Sequence, residues 1–236
     1  MATQDAQRGV GRNSGSTVDT RRDPIAEAGV DIRPLIAIVA LGAFAILTWL
    51  IVSGTTFPFD QQLLDAAKGL NQYLPEWRGL SDSANLPLIA IGAGIVVYLL
   101  WTKQRSEALL VIVVLALVTA GSEAVKQLVA RPRPPGFDNT YLGVVYSYPS
   151  GHVLEAVTIY GIIAVLVWRS RLPDVVRFAV PVVFTGIIAL VAVARVAVGE
   201  HYPTDVLAGL LAGVGFVALF AWLTDVLARR RAAASQ

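Results

Sequence analysis

The feature that most constrains this chain is a series of six windows without a single Asp, Glu, Lys or Arg, at 34–59, 83–102, 108–122, 156–168, 178–194 and 206–224. A helix needs about 20 mostly apolar residues to cross the hydrocarbon core of a bilayer. The third and fourth windows are short, but each reaches that length by extending past charged residues, to about Val129 and back to about Gly151. The pattern predicts an all-α fold, a polytopic membrane bundle of six transmembrane helices. Composition agrees, with 55% apolar and 15% charged residues against about 45–50% and about 25% in a soluble domain.

The first window is too long and too far from the amino terminus to be a cleaved signal peptide, and residues 1–33 hold no signal-like apolar run. Rich in Gly, Ser, Thr, Arg and Asp, that leader reads as disordered. The six-span domain is expected over 34–228, with a basic tail at 229–236. Retained cytoplasmic loops carry the Lys/Arg excess. Six spans put the leader, the second and fourth loops and the tail on one side, with Arg8, Arg12, Arg21, Arg22, Arg33, Lys103, Arg105, Arg169, Arg171, Arg177 and Arg229 to Arg231. A plasma-membrane protein with both termini cytoplasmic is expected. Trp101, Trp168 and Trp222 fall near the cytoplasmic ends, as an interfacial aromatic belt requires. In the first outer loop, Asp60 to Leu70 has the pattern of a short amphipathic helix lying on the surface.

Several functions are excluded by what is scarce. The formal charge of +2 is too small a surplus to suggest a nucleic-acid partner. No cysteine means no disulfide, iron–sulfur cluster, thiolate zinc site or cysteine nucleophile, and two histidines cannot form a three-histidine zinc site.

The basic residues on the outer side are the next clue. Lys68, Arg78 and Arg131 read as solvated, whereas Lys126, Arg133 and Arg195 lie at the outer ends of spans three and five. His152, at the start of span four, and His201, just before span six, fall on the same side. Polar groups gathered at one membrane face are costly to place and are a functional hypothesis by default. Locally, Pro149-Ser150-Gly151-His152 has two readings: punctuation of a helix start with Ser150 as N-cap, or a phosphate site formed by a helix N-terminus beside a hydroxyl and an imidazole. Pro203 suits the first position of the last helix, which puts Asp205 in its first turn. That carboxylate either complements the helix dipole or takes the N–H of His201 and fixes its tautomer. Arg195, Arg133 and Lys126 also have a plain reading as snorkelling interfacial cations.

Three stretches together resemble the type 2 phosphatidic acid phosphatase superfamily, shared by membrane lipid phosphatases and soluble vanadate haloperoxidases. Lys126 to Pro134 fits K-x6-R-P, Pro149 to His152 fits P-S-G-H, and Ala194 to Asp205 fits S-R-x5-H-x3-D with alanine in place of serine. The resemblance implies that His201 attacks phosphorus and becomes a phosphohistidine, that Asp205 orients it, and that His152 serves as acid and then base. It implies further that Lys126, Arg133 and Arg195, with Ser150 and the N–H of Gly151, hold the phosphoryl oxygens, and that no metal or cofactor is needed. The missing serine at 194 is expected to modulate activity. Glu155, one turn after His152, stays outside the implied set.

The resulting expectation is a membrane phosphatase acting on a lipid phosphate or diphosphate at the outer face, with the lipid tail among the helices. Polyprenyl phosphates and diphosphates are the first choice, ahead of phosphatidylglycerol phosphate, phosphatidic acid and a lipid-linked sugar phosphate. An anion-binding transporter using the same basic residues is the alternative from another class, and a vanadate haloperoxidase is disfavoured by the membrane spans.

Overall fold

A computed structural model describes residues 30–71, 85–136 and 146–234. The greater part of the expected leader lies outside them, as does Arg78. The described residues from Ile32 onward belong to one compact unit.

Among the described residues there are seven helices and no strand: α1 (Arg33–Val52), α2 (Pro58–Asn71), α3 (Asn85–Trp101), α4 (Arg105–Val129), α5 (Gly151–Arg169), α6 (Asp174–Ala197) and α7 (Pro203–Ala234). Five of these, α1, α4, α5, α6 and α7, are long and apolar enough to cross a membrane. The remaining candidate span is α3, whose apolar stretch Pro87–Trp101 is shorter; its 17 residues extend about 26 Å at 1.5 Å per residue. Helices α4 and α5 run to Val129 and from Gly151, through the charges that interrupt their apolar windows. The first window yields two elements, because Gly54 at φ +80° ends α1. The Ser53 and Gly54 N–H groups close back onto the carbonyls of Trp49 and Ile51, a glycine-terminated helix end. At the other end of the chain α7 continues through Ala234 and takes most of the expected tail into the helix.

Helix α7 packs chiefly against α1 and α5, α5 also against α6, and α3 against α4. Its small residues explain the closeness. A Cβ on Gly209 would stand 2.7 Å from the Ser150 carbonyl oxygen, and one on Gly213 would stand 2.6 Å from Val157 Cβ. The Gly209-x-x-x-Gly213 spacing is the small-residue seam that lets membrane helices approach. Large apolar side chains such as Leu35, Ile38, Trp49, Leu117 and Val182 face outward. That is the expected arrangement where lipid is the solvent.

Two polar clusters on α7 mark the two ends of the bundle. At one end Asp225 pairs with both Arg33 of α1 and Arg169 of α5, and both guanidinium groups also donate to the Ala221 carbonyl, at 3.1 and 2.7 Å. At the other end stands Asp205, roughly 30 Å away along the helix at 1.5 Å per residue, a separation that matches the thickness of the hydrocarbon core.

Candidate active site

Around Asp205, segments far apart in sequence are tied together by direct hydrogen bonds. Helix α4 ends at Ala130, whose φ of 48° turns the chain sharply. Residues 131–133 then run antiparallel to 146–148, through the bridge between Pro132 and Tyr146 and the bond from the Ser147 N–H to the Arg131 carbonyl at 2.9 Å. Tyr148 secures this loop to α1: its hydroxyl is 2.8 Å from Thr48 Oγ1 and its ring stacks on Phe44. Burial pushes the Tyr148 phenol up to about 12, against the opposing effect of that hydrogen bond. The Ser150 N–H donates to the Asp205 carbonyl at 3.0 Å, joining the start of α5 to the first turn of α7. Arg133 donates to the Glu200 carbonyl at 3.1 Å.

His201 sits in the turn between α6 and α7 and is buried. Gly199, at φ +78°, supplies the left-handed conformation that this turn needs. The His201 Nδ1–H donates to the Ser147 carbonyl at 2.7 Å. A carbonyl oxygen only accepts, so the proton is on Nδ1 and the lone pair on Nε2. Asp205, the partner suggested by the sequence, is 3.7 Å from Nδ1. Its Oδ2 accepts the Tyr202 N–H at 2.8 Å, and its Oδ1 accepts from Arg131 at 2.5 Å. The carboxylate thus acts on the imidazole through space. Burial lowers the His201 pKa below its ordinary value, outweighing the upward pull of Asp205. The ring is therefore neutral near pH 7.

The other residues singled out in the sequence gather nearby. A Cβ on Gly151 would lie 3.5 Å from Lys126 Nζ and 3.6 Å from Ser122 Oγ. Arg195 is buried, with its guanidinium 2.5 Å from the Glu200 carboxylate. His152 interacts electrostatically with Arg195, His201, Lys126 and Arg133. Glu155 is half-buried and within electrostatic reach of Lys126 and Arg195. Ser150 precedes α5 but makes no capping hydrogen bond through its side chain. Among the described residues, His152 Nε2, Ser150 Oγ and Ser122 Oγ are buried without a hydrogen-bond partner. Such atoms are costly in a protein that leaves them unsatisfied, and three of them on or facing the start of α5 mark a place built for a polar group. Arg133, too, is pushed below the ordinary arginine value, burial outweighing the nearby carboxylates.

Four residues here were missed by sequence reasoning. Arg131, read as solvated, bridges Asp205 and Asp60. Asp60, read as part of a surface helix, is buried. Glu200 partners Arg195, and Ser122 lies one turn before Lys126 on α4. A signal for Arg131 is its place in Arg131-Pro-Arg133-Pro: proline holds the preceding residue extended, so residues two apart share a face.

The fold and the site define an all-helical membrane protein with cations, two histidines and unsatisfied hydroxyls gathered at one end of its bundle. Residues 107–229 match the PAP2 superfamily, and the chain belongs to that family. It is 33% identical over 137 residues to phosphatidylglycerophosphatase B of Bacillus subtilis (strain 168), covering 57% of this chain and 64% of that protein. It is 33% identical over 122 residues to an undecaprenyl-diphosphatase of Sulfolobus acidocaldarius, covering 49% and 54%. The chain thus spans less than two thirds of the length of these curated relatives. Its fold is similar to the crystal structure of a transmembrane PAP2 type phosphatidylglycerolphosphate phosphatase from Bacillus subtilis, with TM-score 0.61 and 22% identity over 82% of this chain and 96% of that one.

Proposed function

We propose that this protein is a membrane phosphatase that removes the terminal phosphate of a lipid phosphate or diphosphate at the outer membrane face. The observation that carries the reading is the freed Nε2 of His201, held in that tautomer by the Ser147 carbonyl, in a site that also gathers Lys126, Arg133 and Arg195. His201 Nε2 attacks phosphorus and the bond from phosphorus to the leaving oxygen breaks. His152 protonates that oxygen, then takes a proton from water as the water attacks the phosphohistidine and the P–N bond breaks, releasing inorganic phosphate. Lys126, Arg133 and Arg195, with Ser150 Oγ and the Gly151 N–H, stabilise the charge on the equatorial oxygens, as positioned donors do in phosphoryl transfer. Asp205 steadies the imidazolium from 3.7 Å. No metal takes part in these steps.

A polyprenyl diphosphate or phosphate is the proposed substrate, supported by the name of the Sulfolobus relative. Phosphatidylglycerol phosphate is the second reading, favoured by the names of the Bacillus relative and of the Bacillus crystal structure. The basic excess on the leader, the even-numbered loops and the tail supports cytoplasmic termini in the plasma membrane, with the site outside. The test is phosphate release in EDTA by detergent-purified wild type and His201→Ala, against polyprenyl, glycerolipid and soluble phosphates. Release by wild type alone is expected, with a lipid preferred. Equal release by both proteins would remove His201 from the mechanism, and no release by either would favour anion transport.

A further inference from the structure

Helix α2 sends one side chain into the site from outside the three motif segments. Asp60 accepts the Thr204 N–H at 2.9 Å and the Thr204 hydroxyl at 2.6 Å, so it caps the N-terminus of α7 from a helix 144 residues away in sequence. Its Oδ2 also pairs with Arg131 at 2.8 Å. Arg131 in turn reaches Asp205 at 2.5 Å and Thr204 Oγ1 at 2.7 Å, and its guanidinium lies 4.2 Å above the Tyr202 ring. Leu64, one turn after Asp60, is fully buried among Val153, Val196 and Val206 and fixes α2 in place.

We propose that Asp60 and Arg131 are positioning residues that hold the Asp205 carboxylate and set the charge it presents to the His201 imidazole, so that α2 belongs to the catalytic apparatus. Its consequence in turnover rests on the phosphatase reading, whereas the contacts of Asp60 and Arg131 with the first turn of α7 do not. Arg131 is fork-shaped and spans two carboxylates, which a point charge does less well. The trio of Asp60, Arg131 and Asp205 carries one net negative charge. Loss of Arg131 leaves two negative charges near His201 and favours the imidazolium, whereas loss of the Asp60 charge leaves none and disfavours it. The other ionisable groups facing His201 are Glu200 beside it, Arg133 from the 131–133 segment and His152 from α5. All three are unchanged in these variants.

The experiment is a 15N-histidine NMR titration of the full chain in detergent, with the two ring systems assigned through His152→Asn, alongside steady-state kinetics. Arg131→Gln is expected to raise the His201 midpoint by about one unit and Asp60→Asn to lower it by a similar amount, since one charge nearby shifts a pKa on that order. Each is expected to reduce kcat about tenfold or more with KM within about threefold, as loss of an interaction expressed in the transition state does. Arg131→Lys, which keeps the charge but not the fork, is expected to restore the midpoint and only part of kcat. Midpoints that stay put or move in the same direction in well-folded variants would overturn the proposal. A wild type without turnover would sink the phosphatase reading while the titration still decided the positioning claim.

Discussion

The Nδ1–H of His201 donates to the Ser147 carbonyl at 2.7 Å, not to the Asp205 carboxylate, which lies 3.7 Å away. A backbone carbonyl fixes the tautomer as firmly as a carboxylate does, because it has no proton to give. It adds no full negative charge, so stabilisation of an imidazolium is left to Asp205 at longer range. Tautomer selection and charge stabilisation, joined in one residue in a Ser-His-Asp triad, are divided here between Ser147 and Asp205.

That division predicts the effect of Asp205→Asn. Where the aspartate itself holds the ring, the amide costs about 10⁴ in kcat through the wrong tautomer. Here the tautomer survives, and the expected loss is about 10²-fold, with vanadate binding retained as inhibition of residual turnover. A loss of about 10⁴ would show that Asp205 orients the ring after all, and unchanged turnover would remove it from the mechanism.

The pH profile follows from the same burial. The His201 pKa is lowered in the folded protein, so the neutral nucleophile persists as pH falls past the ordinary imidazole value near 6.5. The acid limb of kcat/KM, which reports the free enzyme, is expected below pH 6.5. A limb above that value, tracing to His201 in NMR, would contradict the dominance of burial over Asp205.

How much of this was legible beforehand differs by element. The long helices were readable because membrane spanning demands charge-free windows, and the extension of α4 and α5 through Lys126 and His152 followed from the length requirement. Lys126, Gly151, Arg133 and His201 were grouped by the family resemblance that their motifs carry, and they lie at the same end of the bundle. Asp60 was not, since nothing local in an amphipathic helix reveals a partner 144 residues away. Nor does the sequence tell which acceptor within reach takes the His201 proton. That depends on the 131–133 and 146–148 segments lying side by side, a tertiary fact that leaves no periodic trace.

Close packing of α5 on α7 sets the position of Ser150 against Asp205, and Gly209 tests it. An added methyl would meet the Ser150 carbonyl oxygen at 2.7 Å and the Leu154 nitrogen at 3.2 Å. Gly209→Ala is expected to cost about 1–3 kcal/mol, as overpacking does, and to lower kcat by separating the two helix starts. Gly186→Ala is the control: nothing lies within 4 Å of its Cβ, and alanine in a helix interior is favourable by about 0.5–1 kcal/mol. Thermal melts in detergent with parallel kinetics check both. Equal melting shifts would mean that the α5–α7 contact yields more easily than its distances imply.

Chelation separates a site that relies on its own cations from one that borrows a metal. Lys126, Arg133 and Arg195 all act electrostatically on His152, whose Nε2 is unsatisfied, as are Ser150 Oγ and Ser122 Oγ. Fixed donors in a water-poor site stabilise developing charge strongly because they need no reorganisation at the moment of reaction. Activity is therefore expected to be the same within about twofold in EDTA, while Arg133→Gln loses on the order of 10²–10³ in kcat, the typical cost of removing one such donor. Both halves matter. Turnover lost in EDTA and restored by magnesium would mean that the charge on the phosphoryl oxygens is met by an ion, and a mild effect of Arg133→Gln would mean that the Glu200 carbonyl bond at 3.1 Å is that residue's whole role.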